Sequence, residues 1–375
     1  MADVATVPGL DAVETPAYVY DLDEVRRSHR LLRDALPAPS RLYYSLKANP
    51  HPAIVAALRR AGCGAEVSSP GELAAAADAG TPASGILYTG PGKRDRDVAE
   101  AIDAGVRRFS VDSPVALDQI DRIAGGRGVT ARCLIRVNDH APAPGQRLTM
   151  TGVASQFGAD AEWIEAEPER FASRPAARVV GFHLYMGSNL AGVEALLAQF
   201  TTAIATARRL ADRCAVDVEL VDLGGGFPAP FARAGALEPM PGLAGRLAEL
   251  LDAAFPGWRR ERPHVAFESG RYLAATAGCL LTRVLDVKRS HGRPVLVLES
   301  GINHLGGMSG LRRVPPVVPD VDAGAGVAAL RDAMIAGPLC TPLDVWASST
   351  AAPDARPGDT LRVPNVGAYG LSASL

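Results

Sequence analysis

The chain has 375 residues, of which 47% are hydrophobic and 21% charged, and its formal net charge is -2. That is the composition of a globular protein of about two domains, and the near-neutral balance gives no reason to expect nucleic acid or an anionic membrane as a partner. No apolar run reaches the roughly eighteen residues of a bilayer span, and MADVATVPGLDAVETP at the N-terminus carries acids where a secretory signal carries bases.

In chain order, AYVYD near the start reads as a short strand. Strands follow at 41–47 (RLYYSLK), 65–68 (AEVS), 85–89 (GILYT), 106–111 (VRRFSV), 131–137 (ARCLIRV), 178–185 (RVVGFHLY), 217–223 (DVELVDL) and 264–268 (HVAFE). Between them lie Ala/Leu-rich helical stretches such as PHPAIVAALRRAG, with proline near its start and glycine at its stop. About eight strand-then-helix units in series predict an α/β fold, a (β/α)8 TIM-like barrel. A long polar loop, 139–160, interrupts the series. After about residue 271 the runs TAGCLLTRVLDV and RPVLVLES predict an all-β C-terminal domain, either a β-barrel or a sandwich. The expected division is an N-terminal segment 1–20 joining the β domain, a barrel over 21–270 and the β domain over 271–375.

A barrel gathers its reactive groups at the C-terminal ends of its strands. Those ends are Lys47, Glu66, Arg136, His183 with Tyr185, Asp222 followed by three glycines, and Glu268. Each alone is an ordinary strand-end residue facing water; six together are not. Only Lys47, Lys93 and Lys288 among the 39 basic residues are lysines. An ammonium can lose its proton and attack a carbonyl, whereas a guanidinium cannot, so a lysine ending a barrel strand is a candidate for imine chemistry. Gly225 and Gly226 in VDLGGGFP, and Gly270 with Arg271 in FESGR, form glycine turns suited to bringing amides and a guanidinium to a phosphate. Glu268 can pair with a protonated ring nitrogen. The five cysteines are scattered without a C-x-x-C pair, which predicts no disulfide framework, no structural zinc and a reducing, cytoplasmic setting.

The motifs YSLKANPHP, GCGAEVSSPGEL, GFHLYMGSN, VDLGGGFP, ESGR, GPLCTPLD and VGAYGLSAS occur in that order. Together they resemble those of the fold-type III pyridoxal-phosphate decarboxylases, the diaminopimelate, ornithine and arginine decarboxylase group. The resemblance implies pyridoxal 5′-phosphate held on Lys47 as a Schiff base, with Glu268 at the pyridine nitrogen. It implies Ser188, Gly225, Gly226, Gly270, Arg271 and Tyr369 around the phosphate, Glu66 and Arg136 lining the cofactor, and no metal. It also implies a homodimer with shared active sites, in which Cys340 and Tyr369 act in the neighbouring subunit's site. There Cys340 would return a proton to the substrate after carbon dioxide leaves.

Two departures bear on substrate. The family's ring-stacking histidine is replaced by Tyr185, with His183 two residues earlier on the same strand face, and either ring can serve. The acid that follows the cysteine, which meets a distal ammonium in the classical enzymes, is Thr341. A buried ammonium without its carboxylate costs several kcal/mol. Free diamino acids are therefore disfavoured over carrier-bound or conjugated amino acids, such as glutamyl units on an acyl-carrier protein or siderophore citryl-amino acid intermediates. Asn303, His304, Thr341 and Asp344 are candidate substrate contacts, and Arg312 and Arg313 candidates for a phosphopantetheine phosphate or a second carboxylate. The competing readings are a diaminopimelate- or ornithine-type decarboxylase, an amino-acid racemase and a catalytically silent cofactor-binding homologue.

Overall fold

The computed structural model describes residues 13–139, 152–306, 318–324 and 328–374. Arg312 and Arg313 lie outside the described residues, as does much of the polar loop at 139–160. The chain divides into two compact units. One contains Val25–Pro228 and Glu238–Leu273, and the other the N-terminal segment to Glu24, Ala229–Leu237 and the chain from Ala274 onward.

In the first unit eight parallel strands close into a barrel, as the strand–helix alternation predicts. They are β2 (Arg41–Ser45), β3 (Gly64–Val67), β4 (Ile86–Tyr88), β5 (Arg108–Val111), β6 (Ala131–Asn138), β8 (Ala177–Leu184), β9 (Leu220–Asp222) and β10 (His264–Ser269). β10 pairs with β2, and β5 with β6, so no edge of the ring is left open. The short β7 (Ala159–Asp160) adds a parallel pairing to β6 from within the polar loop. Local sequence fixes the helix starts. Helices α1 (Pro70–Asp78) and α2 (Pro114–Gly125) each begin Ser-Pro: the proline supplies its preset φ, and the serine oxygen accepts an orphan amide. Ser69 accepts from Glu72 N–H at 3.2 Å and Ser113 from Ala116 N–H at 3.1 Å.

Inside the barrel Tyr43, Leu87, Leu134, Val180, Leu220 and Ala266 form a buried apolar layer. Side chains two residues apart on a strand share a face. Directly above Tyr43, Leu134, Leu220 and Ala266 therefore stand Ser45, Arg136, Asp222 and Glu268. The strand period thus sets a polar layer upon an apolar floor.

In the second unit β1 (Ala17–Tyr20) pairs antiparallel with β11 (Gly278–Ser290), whose 13 residues bend at a register shift between Val284 and Asp286. β15 (Thr360–Val363) pairs with the first half of β11 and β12 (Arg293–Leu298) with the second. β13 (Ala329–Ala336) and β14 (Val345–Pro353) complete a mixed sheet around Leu280, Val284, Leu296, Leu298, Trp346 and Leu361.

Candidate active site

Lys47 lies in a single 3-10 turn that follows β2. Its Nζ donates to Glu66 Oε2 at 2.6 Å; Glu66 is 2% exposed, while the lysine side chain keeps 40% of its surface. Thr89 Oγ1, at the end of β4, donates to the other carboxylate oxygen. Burial opposes the charge on Glu66, but the Lys47 ammonium and hydrogen bonds from Lys47, Ser45 and Thr89 outweigh it and hold the carboxyl at about 2.

The next three strands around the ring bring His183, Asp222 and Glu268 together. Register pairs Arg136 with His183 and His183 with Asp222, and Glu268 stands two residues beyond Ala266, the partner of Asp222. His183 Nδ1 meets Ser110 Oγ at 2.8 Å, and its Nε2 lies 3.4 Å from Glu268 Oε1. One donor atom from each of the three residues falls within 4.8 Å of the others, all buried. Desolvation disfavours the imidazolium, yet Glu268 and Asp222 together raise the pKa of His183. Burial, and then the Glu268 charge, push Asp222 up to about 7. Such a nest of acids receives a cation, either a metal ion or an organic one.

Arg136 is 7% exposed and its guanidinium carbon lies 4.8 Å from the centroid of Phe157 and 5.9 Å from that of Tyr185. Tyr185 is half-buried, whereas His183 is 1% exposed and engaged at both ring edges. The glycine turn after β9 passes so close to β10 that a Cβ on Gly225 would stand 2.3 Å from the Glu268 carbonyl oxygen. Gln199 holds this turn by donating to the Gly225 carbonyl at 2.8 Å, and Leu190 N–H donates to the Gly226 carbonyl at 2.9 Å. Gly270 is confined by Ser45 and Ala48, with Arg271 next in chain and half-buried, as is Ser188 beyond β8.

The remaining candidates belong to the second unit. Cys340 is exposed and Tyr369, half-buried, has a φ of +60°. Asp344 is 2% exposed and its two oxygens accept from Ile302 N–H and Leu339 N–H, each at 2.7 Å. Gly301 and Gly337 flank it so tightly that a Cβ on either would lie within 2.3 Å of a carboxylate oxygen. Asp344 thus ties the Cys340 loop to the 301–305 segment. Thr341 Oγ1 accepts from Leu343 N–H at 3.3 Å. Asn303 Oδ1 accepts from Gly301 N–H at 3.2 Å, and the His304 carbonyl accepts from Tyr18 Oη. Burial lowers the His304 pKa.

Four participants escaped the strand-end reading. Thr89 and Ser110 close the third and fourth barrel strands, where a small hydroxyl carries no distinctive signal in sequence. Phe157 sits in the polar loop, where no periodicity marks it. Lys93 is 4% exposed, donates to the Gly90 carbonyl and lies 3.8 Å from Asp112 Oδ2; burial lowers it to about 8. Asp112 in turn accepts from Gly158 N–H at 2.8 Å, anchoring the segment that carries Phe157. The scarcity of lysine pointed to Lys93 as much as to Lys47.

Residues 22–275 match the family model described as "Pyridoxal-dependent decarboxylase, pyridoxal binding domain". An L-glutamyl-[BtrI acyl-carrier protein] decarboxylase of Niallia circulans is 33% identical over 370 residues, covering 96% of this chain and 85% of the relative. The diaminopimelate decarboxylase of Aquifex aeolicus is 29% identical, covering 96% of this chain and 83% of its own. Among solved structures, the diaminopimelate decarboxylase of M. jannaschii in complex with L-lysine superposes with a TM-score of 0.83 at 26% identity, covering 97% of this chain and 85% of that one.

Proposed function

Since the chain belongs to the pyridoxal-dependent decarboxylase family, we propose that it removes the α-carboxylate of an amino acid presented as a conjugate, a glutamyl-type unit on an acyl-carrier protein being the first candidate. Decarboxylation of an amino acid or amino-acid conjugate with pyridoxal phosphate is the chemistry of the family. The observation that carries the narrower reading is the 337–344 loop. Its sole carboxylate, Asp344, is buried with both oxygens taken by backbone amides, and Thr341 follows the cysteine where the family resemblance implies an acid that meets a distal ammonium. A free diamino acid would bury a charge there without a partner, at a cost of several kcal/mol. The Niallia circulans relative, named for a carrier-bound substrate, supports the same reading.

The barrel residues fit the cofactor. Among the described residues Glu268 Oε1, Asp222 Oδ2 and His183 Nε2 are buried and accept or donate no hydrogen bond, with Nε2 and Oε1 facing each other at 3.4 Å, an acidic nest that suits a cationic ring nitrogen. Lys47 would hold the aldehyde carbon, Glu268 the ring nitrogen and Tyr185 a ring face. Ser188, Gly225, Gly226, Gly270 and Arg271 would hold the phosphate, with Tyr369 from a second copy. When bound, the cofactor supplies the electron sink for the bond to carbon dioxide. Glu66 positions the Lys47 amine through their 2.6 Å contact, and Arg136 contributes fixed positive charge beside Tyr185. Cys340, also from the second copy, would protonate the carbon that lost its carboxylate. The barrel unit thus binds the cofactor and the β unit completes the site of its neighbour in a homodimer. A cytoplasmic setting fits the five free cysteines.

Among the described residues no helix is long and apolar enough to cross a membrane. The deciding experiment is mass spectrometry of carbon dioxide loss across free and carrier-loaded amino acids, glutamate included. Turnover is expected on the loaded forms, and robust turnover of free diaminopimelate or lysine would overturn the substrate reading.

A further inference from the structure

Two carboxylates buried within a few ångströms of each other do not both ionise unless a cation compensates them. Asp222 and Glu268 are 0% and 2% exposed, and one oxygen of each gathers with His183 Nε2 within 4.8 Å at the ends of β8, β9 and β10, Nε2 facing Glu268 Oε1 at 3.4 Å. The groups facing them are few. His183 looks toward Glu268 and Asp222, with Ser110 at its other nitrogen and Arg136 on the adjacent strand. Asp222 faces Glu268 and His183, with Glu66 farther off; Tyr43 lies in the layer beneath. The other oxygen of Asp222 accepts the Gly224 amide at 2.9 Å.

We propose that in the cofactor-free protein Asp222 holds a proton beside the facing pair of His183 imidazolium and Glu268, and that seating a cationic ring nitrogen against Glu268 expels the Asp222 proton to solvent. This deepens the cofactor reading and rests on it. The charge count is closed on both sides. Without the cofactor, imidazolium and one carboxylate cancel beside a neutral acid. With it, two cations face two carboxylates, and one proton has left. Within the triad no other bond changes, and the covalent bond of Lys47 to the cofactor is common to the wild type and Asp222→Asn. Ser110 accommodates the arrangement because a hydroxyl can accept from the imidazolium that this state requires. The elevated position of Asp222, about 7, supports its role as the proton holder.

The test is calorimetry of pyridoxal 5′-phosphate binding to the protein stripped of cofactor, in buffers of different protonation enthalpy. Asp222→Asn fixes the neutral form, so it should release about one proton fewer than the wild type near pH 6.5. Wild-type affinity should climb by up to roughly tenfold per pH unit below the Asp222 value of about 7 and then level, and the variant should lack that climb. Comparing the two proteins cancels titration of the cofactor's own phosphate and ring. His183→Gln is the second variant: without the imidazolium the levelling should move to higher pH. Lys47→Ala removes the covalent bond and should leave proton release by the triad in place. Equal proton release and equal pH slopes in wild type and Asp222→Asn would overturn the inference. A wild type showing no visible absorbance change with pyridoxal phosphate would instead overturn the cofactor reading beneath it.

Discussion

Lys47 and Glu66 form one electrostatic unit, so a change in either is felt by both. The carboxyl is held near 2 against an ordinary 4.5, so it stabilises the fold above about pH 4.5 and that stabilisation is lost as pH falls toward 2. Glu66→Gln should therefore show a flatter decline of urea midpoint with pH across that window, and an unchanged slope would contradict the pairing. The residue scale is also where sequence reading was most uneven. Lys47, Glu66, Arg136, His183 and Glu268 were legible because a strand-end charge on an otherwise apolar run is conspicuous. Ser110 and Thr89 were not, because a small hydroxyl is common anywhere and only its partner, His183 or Glu66, gives it meaning. Lys93 was legible only as a rarity; its burial against Asp112 depends on a fold that composition does not encode.

At the scale of elements, the eight barrel strands and their helices followed from hydrophobic period, glycine stops and Ser-Pro starts. The loops did not, since their form is set by partners distant in sequence. The Asp344 clamp is the clearest case: one amide donor, Leu339, lies in the Cys340 loop and the other, Ile302, in the 301–305 segment, 5 and 42 residues away. Asp344→Ala leaves two part-buried amides without their acceptor and should cost about 2 kcal/mol in chemical denaturation. Trp346 fluorescence is a suitable probe, because its indole N–H donates to the Leu305 carbonyl at 3.0 Å, at the end of the clamped segment. No loss of stability would show that the clamp is dispensable. Gly225 is a second element-scale constraint. Its missing Cβ is what lets the turn after β9 cross the Glu268 carbonyl, so Gly225→Ala must displace one of them. Cofactor retention through dialysis should fall by roughly tenfold or more, with far-ultraviolet circular dichroism unchanged. Full retention would mean that the turn shifts without consequence for the phosphate.

For the whole molecule, the proposed sharing of sites between two copies has a direct test. Lys47→Ala and Cys340→Ala are each expected to be nearly inactive. Mixed and allowed to exchange subunits, they should recover about a quarter of wild-type activity, because half of the dimers then carry one intact site. No recovery despite demonstrated exchange would place both residues in one subunit. At this scale the sequence announced the order of barrel and sheet but not that Ala229–Leu237 leaves the barrel series to join the sheet unit. That excursion, APFARAGAL, carries no periodic signal. The pairing of β1 with β11 has a consequence for the living cell. Ala17 emerges from the ribosome some 260 residues ahead of its partner Leu281, on the order of tens of seconds at ordinary translation rates. Throughout that interval Tyr18 and Tyr20 lie on an unpaired strand in the nascent chain, open to chaperones and to the strands of neighbouring polypeptides, so slower translation ahead of β11 should lengthen the period of greatest risk of misassembly.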